Sequence, residues 1–256
     1  MKAFVAALQF LTVLPVGVKG TYAPRAMIGW FPVVGLVIGL LLAAFDSLVS
    51  HLWDRSAAAV LDVILLALVT GALHLDGLGD AADGLYGRKP AEKALAIMKD
   101  SRIGVMALVS VVAVLALKWS GLAGLTHDRF LLLVLVPAYA RGAMLFAIRG
   151  LPYGRSAGTG YDLFETPLKT RDFGGLFLVM GLSLLLGWGA LFLNLFFGGL
   201  VAAFMAYYRR KIGCVTGDML GAMAEVTEGA LFLLMALRVL PWSAGTAAIS
   251  TPWPGP

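Results

Sequence analysis

The residues able to do chemistry are gathered in a few short blocks. The densest is His74-Leu75-Asp76-Gly77-Leu78-Gly79-Asp80-Ala81-Ala82-Asp83-Gly84. On a helix, Asp76, Asp80 and Asp83 stand at i, i+4 and i+7, within an arc of roughly 60°. Three carboxylates on one stripe repel one another, and a divalent cation resolves that repulsion. All-oxygen ligands suit Mg²⁺, which keeps waters and takes substrate phosphates as its remaining ligands. A merely solvated acidic loop needs no such repeat on one face. His74 stands beside the aspartates either as a general base or as a group that orients one of them. Gly77, Gly79 and Gly84 would let a bulky ligand approach the backbone.

Cations follow in the next blocks. In Met98-Lys99-Asp100-Ser101-Arg102-Ile103-Gly104, Lys99 and Arg102 can hold phosphate oxygens, or serve as membrane-flanking anchors that snorkel to headgroups. Arg141 lies about seven residues inside an apolar run, where an unpaired cation costs several kcal/mol. It must pair with an intramembrane acid, with Glu225 the candidate, or reach a ligand. Arg155 sits among the glycines of Leu151-Pro152-Tyr153-Gly154-Arg155-Ser156-Ala157-Gly158-Thr159-Gly160, whose backbone N–H groups can wrap an anion. In Val215-Thr216-Gly217-Asp218-Met219-Leu220-Gly221-Ala222, Thr216 or Asp218 can equally cap a helix. Asp218, Gly221, Ala222, Glu225 and Gly229 share one face of that helix, which directs both acids into a bundle. His51, His127 and Asp62 receive no role. The sequence contains no Walker loop, His-Glu-x-x-His, Cys-pair metal motif or nucleophilic triad.

The elements that must position these groups are membrane helices. Hydrophobic residues make up 60% of the 256, charged residues 14%, and the mean hydropathy is +0.88. A soluble domain carries roughly 45–50% apolar and about 25% charged residues, so a water-facing fold is excluded. Disordered, collagen-like and disulfide-scaffold classes fall with it. The net charge of +5 does not point to nucleic acid, because Lys and Arg are spread over membrane-flanking loops. The single cysteine, Cys214, forbids an internal disulfide. Nearly uncharged runs predict spans over 28–45, 57–75, 103–125, 130–148, 173–208 and 219–240. Residues 3–16 form a short apolar segment suited to an interfacial or re-entrant position.

The 36 uncharged residues of 173–208 would measure roughly 54 Å as one helix, against a hydrocarbon core of about 30 Å. A break at Gly187, Gly189 or Asn194 divides them. With that break, the loops 76–102, 149–172 and 209–218 share a face with the N-terminal segment. That face then holds fifteen Lys and Arg, against four (Arg55, Lys118, Arg129 and Arg238) on the other. The positive-inside rule makes it cytoplasmic. The expectation is an all-α, polytopic integral membrane bundle of about seven transmembrane helices plus the N-terminal segment. It forms one domain over 1–256, with 241–256 as a flexible tail. Trp30, Trp53, Trp119 and Trp242 lie near span ends, as interfacial belts require.

Taken together, the blocks resemble the cobalamin synthase (adenosylcobinamide-GDP ribazoletransferase) family. The resemblance is carried by the acidic block, Met98 to Gly104, Pro152-Tyr153-Gly154-Arg155, Val215 to Ala222, and the opening Ala7-Leu8-Gln9-Phe10-Leu11-Thr12-Val13-Leu14-Pro15-Val16. It departs at Cys214, where a small residue is expected, and at Gly154, which interrupts what is often Tyr-Ala-Arg. The resemblance implies a Mg²⁺-dependent membrane transferase. Adenosylcobinamide-GDP and α-ribazole (or its 5′-phosphate) would give adenosylcobalamin (or its phosphate) and GMP. It implies a bacterial or archaeal cytoplasmic (inner) membrane with the active site on the cytoplasmic face. It leaves room for association with other cobamide-assembly enzymes and for a homo-oligomer.

Carried onto these residues, Asp76, Asp80 and Asp83 would hold Mg²⁺, with Asp218 as a further ligand. Lys99, Arg102, Arg141, Tyr153, Arg155 and Thr216 would bind substrate, and an aspartate or His74 would accept the proton of the attacking ribose hydroxyl. The alternative is another membrane transferase of diphosphates. The Asp-Gly-x-x-Ala-Arg start of CDP-alcohol phosphotransferases is absent, and the second aspartate-rich cluster of prenyltransferases is only approximated by Asp218, Glu225 and Glu228. A cation- or proton-coupled transporter would place its acids near the midplane and often carry inverted repeats; here the acids crowd one face.

Overall fold

A computed structural model describes residues 2–16, 24–100, 102–156 and 160–237. The expected tail 241–256, with Trp242, and also Arg238 and Lys19, lie outside the described residues. In chain order the helices are α1 (Lys2–Leu11), α2 (Pro24–Met27), α3 (Phe31–Val49), α4 (Arg55–Val69), α5 (Leu73–Leu85), α6 (Ala91–Ile97), α7 (Val105–Gly124), α8 (Arg129–Gly150), α9 (Gly174–Ser183), α10 (Trp188–Lys211) and α11 (Gly217–Met235). Among the described residues no strand forms; Tyr153 and Val215 make a single parallel bridge. The all-α membrane class follows directly from the uncharged runs, because only helices satisfy their own backbone in lipid.

By length and composition, Pro24–Val49, Val105–Gly124, Arg129–Gly150 and Trp188–Lys211 can cross a membrane. The pair α4 and α5 adds a fifth if counted as one broken span. That is fewer than the seven expected from uncharged runs. α9 is only ten residues long, and α11 carries Asp218, Glu225 and Glu228. The division of 173–208 does occur, at Gly187, whose φ of 56° is left-handed. Asn194 instead lies inside α10, where it accepts from the Tyr139 hydroxyl at 2.8 Å and donates to Ser183 at 2.9 Å.

The span expected over 57–75 ends early. Asp54 caps α4 by accepting from the amides of Ser56 and Ala57, both at 2.9 Å. Gly71 and Ala72 then take φ values of 59° and 55°, and α5 leaves at 88° to α4. The segment after α1 closes over this corner, with the Val13 amide donating to the Val69 carbonyl at 2.9 Å. The acidic block is therefore a separate helix laid across the bundle.

α8 is almost wholly buried, with Arg141 its one charged residue in the buried stretch, so it forms the centre. α3 packs on it backbone to backbone: a Cβ at Gly35 would stand 2.4 Å from Ala138 Cα, and one at Gly39 2.3 Å from the Val134 carbonyl oxygen. Such small-x₃-small pairs let membrane helices touch. Exposed Leu108, Val109 and Val112 on α7, and Leu191 and Leu195 on α10, form an apolar exterior.

Two ion clusters tie the bundle together. Arg129 grips Asp46 with Nε at 2.8 Å and Nη2 at 2.5 Å, and reaches Asp62 at 3.3 Å. Asp62 thus has a structural partner that the sequence did not suggest. Deeper in, Lys118 donates to Glu225 and Glu228, each at 2.6 Å, and Arg141 pairs with Glu228. Arg141 does find an intramembrane acid, but it is Glu228 rather than Glu225. Lys118, expected at the outer face, is buried.

Candidate active site

The loops predicted to share one face do meet at one end of the molecule. Gly154 donates to the Val215 carbonyl at 2.9 Å, and Val215 donates to the Pro152 carbonyl at 3.0 Å. Arg155 Nη2 reaches the Met98 carbonyl at 3.1 Å, and Arg209 the Gly150 carbonyl at 3.3 Å. Lys211 reaches the Gly87 carbonyl, and Arg25 pairs with Asp172.

At this end α5 crosses α11 with almost no space between backbones. A Cβ on Gly77 would stand 2.9 Å from Asp218 Cα, and one on Gly221 would stand 3.1 Å from His74 Cα. These glycines serve helix contact rather than ligand approach. Gly84 does likewise, since a Cβ there would meet Met98 Cγ at 2.4 Å. The crossing sets Asp76 of α5 beside Asp218 of α11. Asp76, His74, Gly77, Gly217 and Asp218 line a cavity of about 100 Å³, closed by Phe10 of α1 and Met144 of α8. His74 is 2% exposed, and neither ring nitrogen has a hydrogen-bond partner.

On the other flank, Asp76 and Asp80 border an apolar cavity of about 340 Å³ between α5 and α7, with Ile103, Ala107, Leu108 and Val111. Neither carboxylate takes a hydrogen bond or ion pair from the described residues. Asp83 is different. Its oxygens accept from the amides of Gly104 at 2.7 Å and Ala107 at 3.0 Å, which caps the N-terminus of α7 from a neighbouring helix. Asp218 pairs with Arg155 and accepts from the Thr216 hydroxyl at 3.3 Å. Thr216 is itself the cap of α11, accepting from the Met219 amide at 3.3 Å.

Asp83 and Asp218 thus each have protein partners. No three His, Cys, Asp or Glu side chains stand close enough to cage an ion among the described residues. What remains is a pair of unpartnered aspartates one helical turn apart. That pair fits Mg²⁺, which is commonly held by one or two carboxylates together with substrate phosphates.

Of the other expected binding residues, Tyr153 and Arg155 join the cluster. Burial pushes the Tyr153 phenol above its ordinary value, so it stays protonated, and its hydroxyl abuts Gly160. Lys99 is exposed, and Arg102 turns outward to pair with Asp100 at 2.5 Å. Neither lines these cavities, and Arg141 is held in the buried network. Lys118 and Glu228 are the positions that sequence reasoning passed over. A lysine six residues from a helix end reads as a snorkelling cation until its partner helix is known.

The two departures from the family pattern touch each other. A Cβ at Gly154 would stand 2.7 Å from Cys214 Sγ, so the sulfur fills the space an alanine methyl would take. G154A alone is expected to cost about 1–3 kcal/mol by overpacking. G154A combined with C214A should recover most of that loss, as read by thermal unfolding in lipid nanodiscs. Equal stability of the two proteins would show the contact to be slack.

The sequence profile described as cobalamin-5-phosphate synthase matches residues 3–237. A protein of Roseiflexus sp. named adenosylcobinamide-GDP ribazoletransferase is 35% identical, covering 96% of this chain and 91% of its own. Proteins of the same name from Geotalea daltonii (36% identical, 93% of this chain, 97% of its own) and Pseudomonas putida F1 (41%, 93% and 99%) are similar over the same extent. No solved structure matches the chain. With nearly the whole length matched, the chain belongs to the cobalamin-5-phosphate synthase family.

Proposed function

We propose that this protein is an adenosylcobinamide-GDP ribazoletransferase of the bacterial inner membrane, working at the cytoplasmic end of its bundle. Membership of the family supports the activity, and the concentration of Lys and Arg at the site end supports the sidedness. The observation that carries the site assignment is the crossing of α5 and α11. It places unpartnered Asp76, buried unpartnered His74 and Asp218 around one cavity.

In this reading the ribose hydroxyl of α-ribazole, or of its 5′-phosphate, attacks the phosphorus esterified to cobinamide. A new P–O bond forms, the P–O bond to GMP breaks, and GMP leaves with the bridging oxygen. An aspartate of α5 or His74 accepts the hydroxyl proton. Arg155 neutralises charge gathering on the leaving phosphate, and the Thr216 hydroxyl helps to orient Asp218 by donating to its carboxylate at 3.3 Å. Asp76 and Asp80 would hold Mg²⁺, which supplies charge stabilisation to the diphosphate during a transfer that depends mainly on positioning and electrostatics. The crowded carboxylates otherwise repel an anionic substrate, which is a physical reason for the metal.

The test is GMP release by the full chain in nanodiscs, given adenosylcobinamide-GDP and α-ribazole with Mg²⁺ and with EDTA. Metal-dependent GMP accompanied by a cobalamin product is the expected result. GMP without a cobalamin product would make the protein a hydrolase, and product that survives EDTA would remove the metal from the site.

A further inference from the structure

We infer that the large cavity beside Tyr153 is a guanine subsite, in which Tyr161 stacks on the base and Glu165 reads its hydrogen-bonding edge. The inference rests on the transferase reading above and extends it to the nucleotide half of the donor.

The cavity has a volume of about 510 Å³ and is bounded by Arg149, Pro152, Tyr153, Tyr161, Phe164 and Glu165. That lies in the range of small-molecule sites, about 300–1,000 Å³. Its wall is aromatic. The Tyr153 ring lies 4.8 Å from Phe164 at 34°, and 6.1 Å from Tyr161 at 73°. Tyr161 is 43% exposed, so much of one ring is left without an apolar neighbour at a polar end of the molecule. Aromatic rings in such settings are platforms for nucleobases.

Glu165 gives the platform a preference. It is exposed and has no hydrogen bond or ion pair within the described residues. A carboxylate accepts from guanine N1–H and the 2-amino group together. Adenine offers an acceptor at N1, and benzimidazole offers no such donor pair. Arg149 on the same rim supplies the opposite charge for a phosphate. Its guanidinium is positioned over the Phe173 ring, 5.7 Å from the centroid.

The cavity also adjoins the reacting centre. Tyr153 is one of its walls, and the Tyr153 hydroxyl abuts Gly160, which lines the smaller cavity with Asp76 and Asp218. A base seated on Tyr161 would thus have its phosphates directed past Tyr153 towards the aspartates.

The experiment measures binding of GMP, IMP and AMP to the full chain in nanodiscs, together with KM for adenosylcobinamide-GDP. Wild type is expected to prefer GMP over IMP, which lacks the 2-amino group, by about tenfold. E165Q should weaken both, GMP more than IMP because IMP offers only N1–H, and so reduce that preference. Y161A should weaken GMP and IMP alike by about tenfold and raise KM, and Y161F should restore both. If E165Q and Y161A bind and turn over like wild type, Tyr161 is only an interfacial anchor and the subsite falls while the transferase reading stands. If wild type releases no GMP from the donor, the reading and the subsite fall together.

Discussion

E228Q is expected to destabilise the protein by about 3–5 kcal/mol, the cost of leaving one member of a buried ion network unpaired. Glu228 is 1% exposed and holds two cations at once, Lys118 at 2.6 Å and Arg141. Glu225, 3% exposed, can still serve Lys118. Among the described residues Arg141 has no second carboxylate. Its one other acceptor among them is the Pro137 carbonyl, at 3.3 Å, and its Nε has no partner there. A neutral amide at 228 therefore strands a guanidinium inside α8. R141M in the same chain should return most of the stability, because it removes the stranded charge and leaves a balanced Lys118–Glu225 pair. Thermal unfolding of the single and double variants in nanodiscs decides this. An E228Q protein as stable as wild type would mean that water reaches Arg141.

Much of this scaffold is written in the sequence. The uncharged runs force helices, the length of 173–208 forces a break, and the basic loops force one polar end. The need of Arg141 for an acid follows from its depth. The identity of that acid does not. Glu225 and Glu228 are three residues apart on α11, and only the contact with α8 selects between them. Lys118 lacks any local mark of burial. The corner at Gly71–Ala72 was hidden for a related reason: a single glycine predicts little, and a left-handed alanine has no sequence signal. It accompanies the 88° turn that lays α5 against α11 at Gly77 and Gly221. Asp83 is the sharpest case. Its spacing from Asp76 and Asp80 is that of a third ligand, yet its two amide partners lie 21 and 24 residues further on. Helical spacing cannot see a cap supplied from another helix.

That distinction separates three aspartates that look alike in the sequence. D76N and D80N are each expected to lower turnover by at least about 100-fold, the scale of losing a charge-stabilising group at a transferring phosphoryl. Their stability should stay level or rise. Asp76 and Asp80 accept nothing from the described residues, and Asp218 adds a third negative charge to the cluster, so removing one charge relieves repulsion. Activity lost as stability is kept is the mark of groups retained for chemistry. D83A should behave in the opposite sense. It uncovers the amides of Gly104 and Ala107 at the start of α7, at a cost of about 0.5–2 kcal/mol. Turnover per folded molecule should survive, because the residues bordering the reacting cavity are untouched. The Mg²⁺ dependence of GMP release adds a second readout. The requirement should shift to higher concentration in D76N and D80N and remain where it is in D83A. A D83A protein that is stable, inactive and starved of metal would return Asp83 to the ligand set and require the capping contact to open during turnover. A D80N protein with normal turnover would remove the metal from α5 altogether.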